Sequence, residues 1–246
     1  MTKLWSYRMP GKEPVYSSPV GPVTLYSGAT PYACVLFSSW DWHVYALKVS
    51  DGTLLWRYAT GDKILGGANW TPSPEGDAVR ILVGSYDSHL HCVDAATGAK
   101  VWTYATDSFV NGTPAVAQGM AVFGGCDAGL HLVDVANGAR IRKIDLGSYV
   151  AGSAAVAGGH AYVGHMGGEF LCGDSEAGEV GWRCGRPRGE ATHRAAIRPI
   201  PHRVPVKEPL TLQAPMSSRQ PPAKVNVRVL SLAIPVYVPR TSGTRS

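Results

Sequence analysis

Over the first 184 positions the apolar residues come in short runs, cut by Gly, Asp, Asn and Pro. Between 110 and 145 the runs are VNGTPAV, MAVFGG, LHLVDV and ARIRKID, with AQG, CDAG and ANG at the breaks. Such runs are too short for helices, and none holds an apolar period of 3.6. Alternation inside LHLVDV, where Leu130, Leu132 and Val133 flank polar His131, is that of a half-buried strand. Four short strands joined by tight turns therefore make the local unit, an antiparallel meander.

The unit repeats. LHCVDAATG at 90–98 becomes LHLVDVANG at 130–138, with Asp94/Asp134 and Gly98/Gly138 in register. Going back from Gly98 gives Gly52, and going forward from Gly138 gives Gly178. A tryptophan follows at one offset as Trp56, Trp102 and Trp182; only Arg142 breaks the series. Small-residue stretches recur as VYSSPV, ILGGAN, VNGTPAV and VAGSAAV, and they read as crowded inner strands. The second unit is longer because PSPEGD (72–77) inserts a turn, where extra length costs little. A period near 40 with four strands per unit specifies β-propeller blades. The expected strands centre near 16–20, 34–38, 43–48 and 54–59 in the first blade. In the second they centre near 64–68, 80–84, 89–94 and 100–105, and in the third near 110–116, 120–124, 129–134 and 140–145. In the fourth they centre near 150–156, 160–164, 169–172 and 180–183.

The stretch CVDAATGAKVW (92–102) resembles the tryptophan-docking motif of the pyrroloquinoline-quinone (PQQ)-like propeller repeat. It recurs in weaker form as Cys172, Asp174, Ala177-Gly178 and Trp182, and as Ala46, Asp51-Gly52 and Trp56. Glycine supplies a positive-φ turn between the outer strands, and the tryptophan buries its face on the neighbouring blade. The resemblance implies an all-β, open propeller of about four blades over 1–184. The functions it implies range from assembly lipoproteins and sensor domains to quinoprotein dehydrogenases.

LWSYRM (4–9) matches the outermost strand of a blade (compare LLWRYA and VWTYAT) with no inner strands before it. At the other end the pattern stops after Trp182. Residues 185–246 hold 10 of the 18 prolines and 11 Lys and Arg against 2 Asp and Glu; residues 1–184 hold 12 against 16. The overall charge of +5 therefore describes neither part. A Pro- and Arg-rich segment of this kind buries too little apolar surface to offset its chain entropy. Three readings stand: a basic arm, a disordered extension, or, favoured because the break falls inside a blade, an out-of-frame translation. Its arginines are scattered without interleaved aromatics, so nucleic acid is not the expected partner.

No apolar run reaches the 18 residues of a membrane span. No basic-then-apolar signal opens the chain, which as written places it in the cytoplasm; the resemblance implies a periplasmic or exported location if the start is incomplete. Cys34, Cys92, Cys126, Cys172 and Cys184 include no adjacent pair, and Cys92 and Cys172 sit at equivalent strand positions, as small buried residues would. Histidines 43, 89, 91, 131, 160 and 165 invite a zinc reading. His131, however, repeats His91, and a repeated histidine fits a strand face or blade seam. Asp41, Asp87 and Asp127 recur at one hairpin and Asp94, Asp134 and Asp174 at another, which suits turn hydrogen bonds. A catalytic residue is expected once. No catalytic, cofactor-binding or metal residue is assigned, and the expected function is a non-catalytic scaffold for an unidentified protein partner, part of a larger repeat protein. Open blade edges could also self-associate. The alternative is part of a PQQ-dependent alcohol or sugar dehydrogenase.

Overall fold

The computed structural model describes residues 2–185 except 28–29, 75, 77 and 175–178. All lie within the first of two compact units, Met1–Arg198. Gly178 and the sequence from 186 onward fall outside the described residues.

Sixteen strands form four antiparallel four-stranded sheets in sequential order. Blade 1 holds β1 (Val20–Ser27), β2 (Thr30–Ser38), β3 (His43–Lys48) and β4 (Leu54–Ala59). Blade 2 holds β5 (Asn69–Pro72), β6 (Val79–Gly84), β7 (His89–Asp94) and β8 (Lys100–Ala105). Blade 3 holds β9 (Ala115–Ala117), β10 (Met120–Gly124), β11 (Gly129–Asp134) and β12 (Arg140–Asp145). Blade 4 holds β13 (Ala155–Ala157), β14 (His160–His165), β15 (Glu169–Asp174) and β16 (Val180–Gly185). No helix occurs among the described residues, and the fold is the open partial propeller that the repeat specifies.

Sequence and structure part company at the inner strands. The small-residue stretches at 64–68, 110–114 and 150–154 lie before β5, β9 and β13, and in blade 1 the inner strand starts only at Val20. The reason is crowding between blades. A Cβ on Gly66 would stand 2.6 Å from the Asn111 carbonyl oxygen. Gly67 N–H donates to Thr113 Oγ1 at 2.8 Å, and Thr113 N–H to Ser153 Oγ at 2.9 Å. These segments join blade to blade, so they cannot serve as ladder strands.

LWSYRM has no strand partner among the described residues, yet it alternates: Trp5, Tyr7 and Met9 are half-buried and their neighbours exposed. Trp5 Nε1–H donates to the Val49 carbonyl at 2.9 Å.

Three apolar clusters fill the three seams between blades. Side chains of the two middle strands of one blade meet those of the next. Leu82, Leu90 and Cys92 face Val110, Ala121, Phe123 and Val133 across the seam of blades 2 and 3. The core is thus distributed over the seams, and each blade is stable only against its neighbours.

Candidate functional site in the blade seams and on the hairpin face

Each β3–β4-type pair carries a bulge one residue before the docking position, skipping Leu55, Val101, Ile141 and Gly181. The slip turns the following side chain toward the seam. Trp56 packs on Gly98 of blade 2 and donates Nε1–H to the Ala95 carbonyl at 2.8 Å. Trp102 packs on Gly138 of blade 3 and donates to the Val135 carbonyl at 2.9 Å. Trp5, ahead of the blades, packs on Gly52 in the same way. Gly52, Gly98 and Gly138 have φ of 75°, 74° and 74°. Trp182 is half-buried among Tyr162 and Phe170 of its own blade.

A signal in the sequence shows what each docking residue demands of its strand partner. Trp56 pairs with Ala46, Trp102 with Cys92 and Trp182 with Cys172, whereas Arg142 pairs with Leu132. A small residue makes room for an indole, and a leucine fills the space where the indole is lost. Burial pushes the Cys92 thiol up to about 12 and raises Cys172 as well.

Asp94 and Asp134 fasten the same hairpins. Asp94 Oδ1 accepts from the N–H of Ala96 and Thr97, and Asp134 Oδ1 from Ala136 N–H at 2.7 Å. Asp174 N–H closes the corresponding hairpin of blade 4 on the Glu179 carbonyl.

Gly98→Ala is expected to cost well over the roughly 1–2 kcal/mol of a left-handed alanine alone. Its Cβ would meet Trp56 Cγ and Cδ2 at 2.8 Å. Gly119, at φ 75° with nothing within 4 Å of such a Cβ, supplies the control. Urea denaturation of both variants isolates the docking clash; equal losses would refute it.

His91 and His131 belong to the seams. Tyr58 of β4 bonds His91 Nδ1 at 3.0 Å, and His91 Nε2 meets Asp87 Oδ2 at 2.9 Å. One blade on, Tyr104 bonds His131 Nδ1 at 3.1 Å and His131 Nε2 meets Asp127 Oδ1 at 3.1 Å. A tyrosine hydroxyl donating to Nδ1 leaves Nε2–H to donate to the carboxylate, which fixes the tautomer. Lys143 adds contacts at 2.8 Å to both Asp127 and Asp107, which hold its ammonium above its usual range. Burial raises the Asp87 and Asp127 carboxyls. The opposing hydrogen bonds win and bring both down to about 2: His91 and Gly61 N–H act on Asp87, Lys143 and His131 on Asp127. Burial lowers His131 below its ordinary value despite Asp127.

At the seam before blade 1 the set becomes Tyr7, Tyr45 and Asp41, with Tyr45 bonded to Asp41. Before blade 4, Ile144 and Leu171 meet in an apolar cluster, and Gly167 stands at the aspartate position. All three members change together. They are seam fillers of two kinds, polar and apolar.

The remaining concentrated chemistry is on the face formed by the β2–β3-type hairpins. There Asp41, Asp87 and Asp127 accept the N–H of His43, His89 and Gly129, and the residue between is left-handed: Trp42, Ser88 and Ala128 at φ 73°, 68° and 60°. Trp40 meets Tyr16 at a tilt of 58° with ring centroids 5.0 Å apart, and the Lys63 ammonium lies 4.9 Å above its ring. Tyr86 stacks on Phe109 at 4.7 Å, and Met166 N–H bonds the Tyr149 carbonyl. Aromatic side chains thus recur in a row along this face, with Cys126 and Met166 in place of Trp40 and Tyr86 in blades 3 and 4. Tyr16, Trp42, Phe109, Tyr149 and Met166 are exposed in it, Trp42 to 48%.

Among the described residues no three His, Cys, Asp or Glu side chains gather as a metal-ligand set. The buried carboxylates are engaged within the seams and the free cysteines are dispersed, so these residues do not fit the quinone-and-calcium site of a quinoprotein. No described helix is long and apolar enough to cross a membrane.

The family described as outer membrane protein assembly factor BamB matches residues 41–141. No curated protein matches the chain. Among solved structures, BamB from Moraxella catarrhalis is similar at 20% identity and a TM-score of 0.55, over 73% of this chain and 52% of that one. The chain therefore spans about half the length of that protein. The computationally designed Ika4 protein matches at 14% identity and a TM-score of 0.55, over 70% of this chain and 97% of that one. Sqt1 from Saccharomyces cerevisiae matches at 14% and 0.52, over 62% and 45%. The repeat, the blades and the matched region agree on a PQQ-like repeat β-propeller, with the family match covering residues 41–141.

Proposed function

We propose that the chain is a non-catalytic propeller scaffold whose hairpin face binds a protein partner, as part of a larger PQQ-like repeat protein. The aromatic row carries this reading. A bulky tryptophan at 42 occupies a left-handed backbone position where the sister blades place Ser88, Ala128 and Gly168. Backbone strain with an exposed aromatic is accepted where a side chain has to be presented. The recurrent Asp and His residues support the same reading, since their hydrogen bonds go to the seams and to their own hairpins. The name of the matching family, an assembly factor, is consistent with a binding role. The rival reading, part of a PQQ-dependent alcohol or sugar dehydrogenase, draws on the family alone.

The test replaces Trp42, Phe109 and Tyr149 together by serine. All three are exposed, so the circular dichroism spectrum is expected to stay unchanged while cross-linking to partner proteins in the source cell falls about tenfold or more, the loss of one or two hot-spot aromatics. Unchanged cross-linking would sink the proposed face. Titration with PQQ and Ca²⁺ separates the rival, because stoichiometric quinone binding would overturn the scaffold reading.

A further inference from the structure

We propose that the hairpin face receives a basic segment of its protein partner, whose arginine or lysine side chains enter between the exposed rings and carboxylates. This rests on the scaffold reading and names the chemistry of what binds there.

The loops between blades mesh with the β2–β3-type hairpins. Tyr86 N–H donates to the Lys63 carbonyl, Cys126 N–H to that of Phe109 and Met166 N–H to that of Tyr149. Positions 63, 109 and 149 are therefore equivalent, each lying between the hairpins of two successive blades. Two of them carry exposed rings and the third carries a cation. Phe109 stacks on Tyr86 at 4.7 Å, and Lys63 places its ammonium 4.9 Å above Trp40 in the same relation to its blade. The row thus already holds one cation on an aromatic face, where the ring quadrupole attracts it. Phe109, Tyr149 and Trp42 offer further ring faces to solvent.

Charge selects the same class of partner. The loops 39–43, 60–63, 85–89, 106–109, 125–129 and 145–149 carry six aspartates and a single Lys or Arg, Lys63. Asp41, Asp87 and Asp127 are tied into their own hairpins. Asp62, Asp107 and Asp145 instead mark the three passages from blade to blade, and the Asp107 side chain is 83% exposed. Cations also reach this face from the outer strands. Lys143 is held between Asp107 and Asp127, Arg183 meets Glu169, and Arg57 stands opposite Tyr45. Carboxylates still outnumber cations, and Asp62 and Asp145 make no ion pair among the described residues. A recess lined by Asp127, Ala128, Lys143 and Asp145 opens beside Asp107. Asp145 is particular to it, since Ala59 and Ala105 hold that position in blades 1 and 2. Rings flanked by unpaired carboxylates complement a basic segment and repel an acidic one.

The probe is a short fluorescent peptide of alternating arginine and alanine, titrated into the full 246-residue chain and followed by anisotropy. It is expected to bind about tenfold or more tightly than the glutamate–alanine peptide, and to weaken with added salt. Asp62→Asn, Asp107→Asn and Asp145→Asn combined retain the oxygens that accept Lys63 and Gly147 N–H, so the circular dichroism spectrum should not change. That variant is expected to bind about tenfold or more weakly, three exposed charge contacts being lost together. Phe109→Leu keeps the apolar contact without the ring and should weaken binding about threefold. Asp51→Asn, at the other end of the strands, should bind as the unaltered chain does. No binding, equal binding of the two peptides, or unchanged affinity in the asparagine or leucine variant would overturn the inference. If the serine variant of the aromatic row loses its cross-links while the arginine peptide does not bind, the scaffold reading stands and the basic partner falls. Cross-links that survive the serine changes, together with carboxylate-dependent peptide binding, would remove the scaffold reading alone.

Discussion

Trp56→Ala is expected to lower the unfolding free energy by about 3–5 kcal/mol, the range for truncating a core aromatic. The indole is 8% exposed, packs on Gly98, and makes a 2.8 Å hydrogen bond to the Ala95 carbonyl. Removing it creates a cavity in the seam of blades 1 and 2 and leaves that carbonyl short of a partner. Trp102→Ala should cost less, about 2–3 kcal/mol, because its indole is only half-buried. Trp182→Ala should cost below about 1 kcal/mol in the monomer, where no further blade among the described residues receives it. Chemical denaturation of the three variants measures the gradient. A loss below about 1 kcal/mol for Trp102→Ala, or an equal loss for Trp182→Ala, would show that docking across the seam does not hold the blades together.

Acid is expected to open the polar seams in two stages. His131 is lowered from the ordinary 6.5 in the folded chain, so protonation favours unfolding. Its contribution is complete above pH 6.5 and declines as the pH falls below it. Asp87 and Asp127 are lowered from 3.8 to about 2, so their contribution is complete above about pH 4 and is lost as the pH falls toward 2. Each carboxylate accounts for roughly 2 kcal/mol of this loss. The groups facing His131 are Tyr104, Asp127 and, through Asp127, Lys143. Urea midpoints at pH 7, 5 and 3 would follow both stages. A variant carrying Tyr104→Ile, His131→Leu and Asp127→Gly copies the set that blade 4 uses and should lose the first stage altogether. If its midpoint still falls between pH 7 and 5, the seam is not the sensor.

Much of this architecture could be read from the chain because a propeller is specified by local patterns repeated in register. The strands β6 to β8 and β10 to β12 lie where the alternation of apolar residues put them, and their turns where Gly98, Gly138 and the aspartates fall. The inner strands could not be placed this way. Gly66 and Gly112 carry no side-chain pattern; they are small because a neighbouring backbone passes close by, a tertiary cause without a period. The seam triads were half legible. His91 and His131 repeat visibly, but their partners Tyr58 and Tyr104 sit a blade earlier in sequence, and only their joint replacement by Ile144, Leu171 and Gly167 ties the sets together. The exposed aromatics of the hairpin face leave no such mark in the sequence. Phe109, Tyr149 and Trp42 come from two unlike loops that only the closed blades bring alongside each other.

The placement of the docking pairs also says where this chain divides. Trp102 and Tyr104 lie at one end of the stretch 102–138, and Asp127, His131 and Gly138 lie toward the other. The docking pair and the polar set of one seam are therefore contained in a continuous piece of sequence that begins on the outer strand of one blade and ends at the outer hairpin of the next, while its apolar cluster also draws on Leu82, Leu90 and Cys92. A cut at 106–108, between blades, separates the tryptophan from its glycine and the tyrosine from its histidine. A cut at 99–101, inside a hairpin, separates neither. Duplication or grafting with junctions inside the outer hairpins would therefore carry each docking pair and each polar set over intact, and only the apolar contacts would have to be rebuilt.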